Sequence, residues 1–146
     1  MPNWVLHDID ITGPEVVLSR LATECITEGG LDFNKVAPQP PYVLQSIEDE
    51  ESREPSWDDP AWYTWRCAHW GTKWPARSGC TKRTPEKIEI SFYAANGVTL
   101  PIFKELTERY PALTIKVKYV IHGASPDFDS GEVHCHAGQM KHIEHA

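Results

Sequence analysis

Three stretches of this chain alternate apolar and polar residues with period two, and they leave little freedom in what it can fold into. Residues 4–12 place Val5, His7, Ile9 and Ile11 on one face and Leu6, Asp8 and Asp10 on the other. Residues 87–93 set Ile88, Ile90 and Phe92 against Lys87, Glu89 and Ser91. Leu113, Ile115, Val117, Tyr119 and Ile121 alternate with Thr114, Lys116, Lys118 and Val120. Successive side chains of a strand point to opposite faces, so each stretch reads as a strand with one buried face. Between them the spacing turns helical. Pro14 suits a first helical turn, Val17, Leu18, Leu21, Cys25 and Ile26 follow, and Gly29-Gly30 stops the run. Pro101 opens a second helix with Ile102, Phe103, Leu106 and Tyr110, which Pro111 ends. Glu132 to Ala137 predicts a fourth strand around Val133. Residues 75–86, polar and basic with Pro75, Gly79 and Pro85, read as a loop. This order predicts an α+β sandwich, with helices on one face of an antiparallel sheet.

At 146 residues the chain is expected to form a single domain, 1–146, large enough for a core without disulfides or metal. Cys25, Cys67, Cys80 and Cys135 lie far apart with no C-x-x-C pair, so they read as free thiols in a reducing compartment. The opening Met-Pro-Asn-Trp lacks the charged and apolar regions of a secretory leader. No apolar run reaches the ~20 residues of a membrane span. A cytoplasmic location is the expectation. The net charge of −7 speaks against a general nucleic-acid binder and against anionic membranes. Charge is uneven, however. Residues 48–59 set Glu48, Asp49, Glu50, Glu51, Glu54, Asp58 and Asp59 against Arg53 alone. Residues 73–87 set Lys73, Arg77, Lys82, Arg83 and Lys87 against Glu86 alone. Both read as solvated loops, the acidic one mobile over about 46–56 and following an extended Pro38–Pro41 linker.

Five of the six tryptophans fall within residues 57–74. Asp59 as N-cap, Pro60 at N1 and Gly71 as C′ residue predict a helix over about 60–70. It would carry Trp62, Trp65 and His69 on one face and form a Trp-rich insertion in the sandwich. Exposing all five rings would create an unusually large apolar patch, so three or four are expected to be largely buried, Trp62 and Trp65 among them. Trp70-Gly-Thr-Lys-Trp74 then turns the chain into the basic segment.

Several residues resemble a known family. The opening Met1-Pro-Asn-Trp4 with Ile9-x-Ile11-x-Gly13, the Phe33-Asn-Lys-Val36-x-Pro38 loop, Trp65-x4-Trp70-Gly-Thr-Lys-Trp74 and Tyr110-Pro-x-Leu113 are similar to the YubB ferredoxin-like domain. That domain is encoded by phages and plasmids and has no known function. The resemblance runs from residue 1 to about 122, with the Trp-Gly-Thr-Lys-Trp pentapeptide its most specific part. It implies a ferredoxin-like fold and a mobile-element origin. It implies no iron–sulfur cluster and assigns no catalytic or binding residues. The chain departs from the family at Val5, where Cys is usual, and over Ala94–Pro101, where a Thr-x-Trp-x-Pro-Pro run is usual.

His134-Cys-His136 with His142 and His145 resembles a metal-ligand cluster, since residues two apart on a strand share a face, but His142-x-x-His145 is only a loose second pair. A second tight ligand pair is lacking, so residues 138–146 read as a polar tail and no metal or cofactor is assigned. There is no nucleophile elbow, activated thiol or phosphate-binding glycine loop, which argues against an enzyme; a metal-dependent activity is the residual alternative. Binding of another macromolecule is the stronger expectation, with a host or phage protein as partner. Trp and Arg are enriched in interface hot spots, and the acidic segment could steer a basic partner. The contact surface is expected at Arg66, Trp70, Lys73, Trp74 and Arg77. A single-stranded nucleic acid is the alternative partner, stacked on Phe92, Tyr93 and Tyr119 beside Lys116 and Lys118.

Overall fold

The computed structural model describes residues 3–50, 58–122 and 129–145. β1 (Trp4–Thr12) leads into α1 (Glu15–Cys25), then a small hairpin of β2 (Ile26–Thr27) and β3 (Gly30–Leu31). The short α2 (Phe33–Val36), α3 (Pro41–Asp49) and α4 (Ala61–His69) form an insertion. β4 (Arg77–Thr84), β5 (Lys87–Ala95), α5 (Leu100–Arg109), β6 (Thr114–His122), β7 (Asp129–His136) and β8 (Gln139–His145) complete the chain.

Six strands form one antiparallel sheet in the order β4-β5-β1-β6-β7-β8. Within it, β1-α1-β4 and β5-α5-β6 are two crossovers that each skip one strand, which is the ferredoxin-like arrangement. β7 and β8 widen the sheet beyond it. Val5, Ile9 and Ile11 of β1, Ile88, Ile90 and Phe92 of β5, and Ile115, Val117 and Tyr119 of β6 are buried. They share one core with Leu18, Leu21 and Cys25 of α1 and Ile102, Phe103 and Leu106 of α5. Both helices therefore cover the face predicted by the alternation, because burial of those rows is the main drive for the sandwich. The opposite face carries no helix among the described residues. Nor is any described helix long and apolar enough to cross a membrane.

Four expectations need correction. Residues 75–86 are not all loop: 77–84 form edge strand β4, which pairs with β5 along its length. An edge strand needs no apolar alternation, because backbone hydrogen bonds to one neighbour suffice to hold it. The C-terminal residues are not a free tail, since β8 pairs with β7 after a turn in which Ala137 and Gly138 take positive φ (52° and 79°). Half-buried Met140, His142 and Ile143 anchor it. The linker before the acidic segment ends in helix α3, with Pro41 at its start and Val43 buried. Ser46 donates to the Val43 carbonyl at 2.7 Å and accepts from the Trp62 N–H at 3.0 Å, tying α3 to α4. Glu48 and Asp49 are thus helical; residues 51–57, with most of the predicted acidic loop and Trp57, lie outside the described residues.

The fourth correction concerns the tryptophans. α4 forms close to the predicted span and Gly71 follows it at positive φ, but Pro60 rather than Asp59 is its N-cap, without a side-chain cap hydrogen bond, and none of its residues is buried. Trp62 and Trp65 are only half-buried, at the rim of the helical layer. Trp70, just past the helix, is the ring that enters the core, at 1% exposure.

Candidate functional site

The Trp70–Trp74 turn carries the chain from the core to the surface in five residues. Trp70 packs against Phe33 and Trp65, with ring centroids 5.8 and 5.9 Å apart, and donates its indole N–H to the Ala37 carbonyl at 3.0 Å. Gly71 has φ 79°, and a Cβ there would lie 2.9 Å from both the Val98 carbonyl and the Pro101 ring. Only glycine fits that backbone and that approach. Thr72 is buried and donates its hydroxyl to the Ala95 carbonyl at 2.7 Å, pinning the turn to the end of β5. Lys73 and Trp74 then emerge beside the start of β1.

Two cation–aromatic clusters result. In the inner one, the Arg66 guanidinium lies 5.1 Å from the Trp62 ring and 4.9 Å from Trp70. It donates to Gln39 Oε1 at 2.8 Å and to the Lys73 carbonyl at 3.1 Å. Burial lowers its pKa from the ordinary arginine value. In the outer one, Trp4 and Trp74 stand 6.0 Å apart, with Arg77 4.9 Å from Trp4 and 5.7 Å from Trp74. The Lys73 ammonium sits 4.5 Å from the Trp74 ring. Arg77 reaches this place through a bulge. The β4–β5 register shifts between Arg77 and Cys80, and Ser78 takes φ 56°. The extra residue puts Arg77 rather than Ser78 opposite Tyr93, a usual effect of a bulge at a sheet edge.

The outer cluster borders the uncovered sheet face. Trp4, Arg77, Ser78, Tyr93 and His122 line a depression of about 360 Å³ there. Tyr93 and His122 are 6.3 Å apart across it. No carboxylate lines this depression among the described residues. Further down the same face, the register sets Lys82, Glu89, Asp10, Lys116, His134 and Lys141 side by side across all six strands. The neighbouring row holds Asp8, Lys118 and Glu132. With Arg77 and Lys87, this face bears six Lys and Arg against four Asp and Glu among the described residues, on a chain whose net charge is −7.

Of the five expected contact residues, the structure brings Lys73, Trp74 and Arg77 together at the surface. It withdraws Trp70 and Arg66: one is core, the other is held between two rings and two acceptors. Trp4 and His122 join the site unpredicted, together with Tyr93, expected from the sequence as a stacking ring for a nucleic acid. The alternation of residues 4–12 was the available signal for Trp4, since it has the parity of Leu6 and Asp8, not of buried His7. Of the sheet aromatics considered for base stacking, Phe92 and Tyr119 are buried on the helix-covered face at 0% and 4% exposure. Only Tyr93 faces outward. Lys116 and Lys118 share the open face as expected.

The histidines do not converge. His134 and His136 lie on the open face, where His134 and His145 flank Glu132 at 3.8 and 3.4 Å. His142 points to the other face and meets the Tyr119 hydroxyl at 2.6 Å. The strand's period of two separates them. Among the described residues no group of three or more His, Cys, Asp or Glu is placed to hold a metal ion. Burial pushes up the thiol pKa of Cys25 and of Cys135, the latter to about 11, which disfavours the nucleophilic thiolate.

The fold and the outer cluster thus define a ferredoxin-like α+β sandwich with one sheet face left open. No protein-family model and no curated protein matches the chain. Among solved structures, it is similar to the crystal structure of a protein api92 from Yersinia pseudotuberculosis, with family-model DUF1281. The match covers 100% of this chain and 99% of that one, with a TM-score of 0.56 and 8% sequence identity. At that identity the two share a fold, and the resemblance read from the sequence is supported at that level.

Proposed function

We propose that this protein is a phage or plasmid accessory protein that acts by binding another macromolecule rather than by catalysis. Its contact surface is the outer cluster of Trp4, Lys73, Trp74 and Arg77, continued by Tyr93 and His122. The observation that carries this reading is the placement of Trp4, Arg77 and Tyr93 around a depression on the sheet face that no described helix covers, with Trp74 packed beside Trp4 and Arg77. Trp, Tyr and Arg are the residues on which binding energy concentrates. A host protein fits the hot-spot composition; a nucleic acid fits the cations beside the rings.

The double variant Lys73→Ala, Trp74→Ala tests the surface. Purified wild-type and variant chains are compared for partner capture from host-cell extract, with thermal melts recorded alongside. The expected result is a folded variant that no longer captures what the wild type captures. A folded variant with unchanged capture would remove this surface from the function.

A further inference from the structure

Taking the outer cluster to be a contact surface, as proposed above, we infer that its occupant is a single-stranded nucleic acid. Three observations select this partner. First, the cluster pairs each half-buried indole with a cation: Lys73 lies 4.5 Å from Trp74, and Arg77 lies 4.9 Å from Trp4. A nucleotide presents the matching pair, a phosphate beside a planar base, and single strands are held by cations that track the backbone and rings that take the bases. Second, no carboxylate lines the depression among the described residues, although the chain carries 21 Asp and Glu. Third, bases outnumber acids on the described open face while the whole chain is at −7, so its excess positive charge is gathered on the side the rings face.

The geometry disfavours duplex. A duplex keeps its bases paired and stacked on each other, so the rings would meet only groove edges. Here the ring nearest the sheet centre, Tyr93, stands on β5 next to β1 and 6.3 Å from His122 on β6. An unpaired base can reach it from above the sheet. The phosphates on either side would fall to Arg77 and Lys73 at the rim, and to Lys118 or Lys116 toward the middle. The carboxylates Asp8, Asp10, Glu89 and Glu132 interrupt the lower face, so the strand is confined to the aromatic end. A footprint of only a few nucleotides follows.

The test uses the full chain and fluorescein-labelled 15-nucleotide single strands, oligo(dT) and oligo(rU), with a duplex of equal length. Binding is followed by anisotropy. The expected result is single-strand binding at 50 mM salt and weaker binding to the duplex. About three phosphate contacts give a log–log salt slope of about −2, or about 20-fold weakening between 50 and 200 mM. Trp74→Ala and Tyr93→Ala should each weaken binding about 10-fold, the order of one lost stacking contact. Arg77→Ala should weaken it and flatten the salt slope, with Arg77→Lys restoring part of both. Lys104→Ala, exposed on α5 under the opposite face, should change nothing. Melts of each variant separate lost binding from lost folding; Arg77, an exposed side chain, keeps the test valid should Trp74→Ala unfold. No binding at 50 mM salt, or equal binding to duplex, would overturn the nucleic-acid occupant. In the first case, continued loss of protein capture in the Lys73, Trp74 double variant would leave the surface standing with a protein on it. Single-strand binding that the Trp74, Arg77 and Tyr93 variants do not weaken would instead overturn the surface.

Discussion

Arg66 with Trp62 and Trp70 forms one cation–aromatic cluster; Arg77 with Trp4 and Trp74 forms another, on the far side of a five-residue turn. Their chemistry is almost the same and their surroundings are not. In the inner cluster the indole N–H of Trp70 has a carbonyl partner, and Arg66 has two acceptors besides its two rings. Such a group is satisfied and shielded, so it stabilises the insertion and offers nothing to a partner. In the outer cluster the guanidinium of Arg77 rests on rings but remains exposed, and the rings border a depression. Cation–π contact is worth little at exposed sites, so a partner can compete for these groups at low cost. The comparison teaches that aromatic and cationic composition does not make a site; unspent hydrogen-bonding and stacking capacity does.

The sharpest way to break this contrast is Trp70→Ala, which removes a fully buried indole. It should cost about 3–5 kcal/mol of stability in chemical denaturation. A loss as small as that of Trp74→Ala would show that the inner cluster is not core. Acid should act next most strongly, through His7. This ring is buried between Phe92 and the start of α5, and its Nε2 accepts the Thr99 N–H at 3.2 Å. Thr99 belongs to the loop on which Gly71 rests. Burial lowers the His7 pKa from 6.5 to about 4. The unfolded chain therefore takes up a proton, below pH 6.5, that the folded chain refuses. This contribution is complete above pH 6.5 and lost as pH falls toward 4, by about 3 kcal/mol. Denaturation curves from pH 7 to 4 check it, and His7→Gln should flatten the change while lowering stability throughout.

Arg66→Ala should cost about 2 kcal/mol, since it uncovers two rings and orphans two acceptors. Arg77→Ala should cost less, about 0.5–1 kcal/mol, as exposed cation–π contacts do. Equal losses at the two arginines would erase the difference between the clusters. A small stability effect paired with the largest functional one is expected of the Lys73→Ala, Trp74→Ala pair. It should shift stability by about 1 kcal/mol or less yet remove binding, read by melts and capture side by side.

Much of the sandwich was legible because its strands bury one face. Burial of Ile9 or Val117 demands an apolar residue at every second position, and that demand is written into the chain. β4 and β8 escaped because edge strands are held by backbone groups that every residue carries. The helix of α3 escaped because Pro38, Pro40 and Pro41 suggested an extended linker, whereas Pro41 is a helix start. The outer site was half legible. Lys73, Trp74 and Arg77 are near neighbours in sequence, while Trp4, Tyr93 and His122 come from three other segments.

By itself, then, the sequence determined the alternating strands, the capped helix before Trp70 and the glycine turn that hands the chain to its basic segment. These depend on local backbone preference and on periodic burial, both properties of neighbouring residues. Which tryptophan is core and which is surface was decided only by tertiary structure. Trp70 and Trp74 are the same residue type four positions apart. Their fates diverge because Phe33 and Ala37 close over one, while the other lands on Trp4 at the edge of an uncovered sheet. Contacts between segments distant in sequence make that choice, and no local pattern records them.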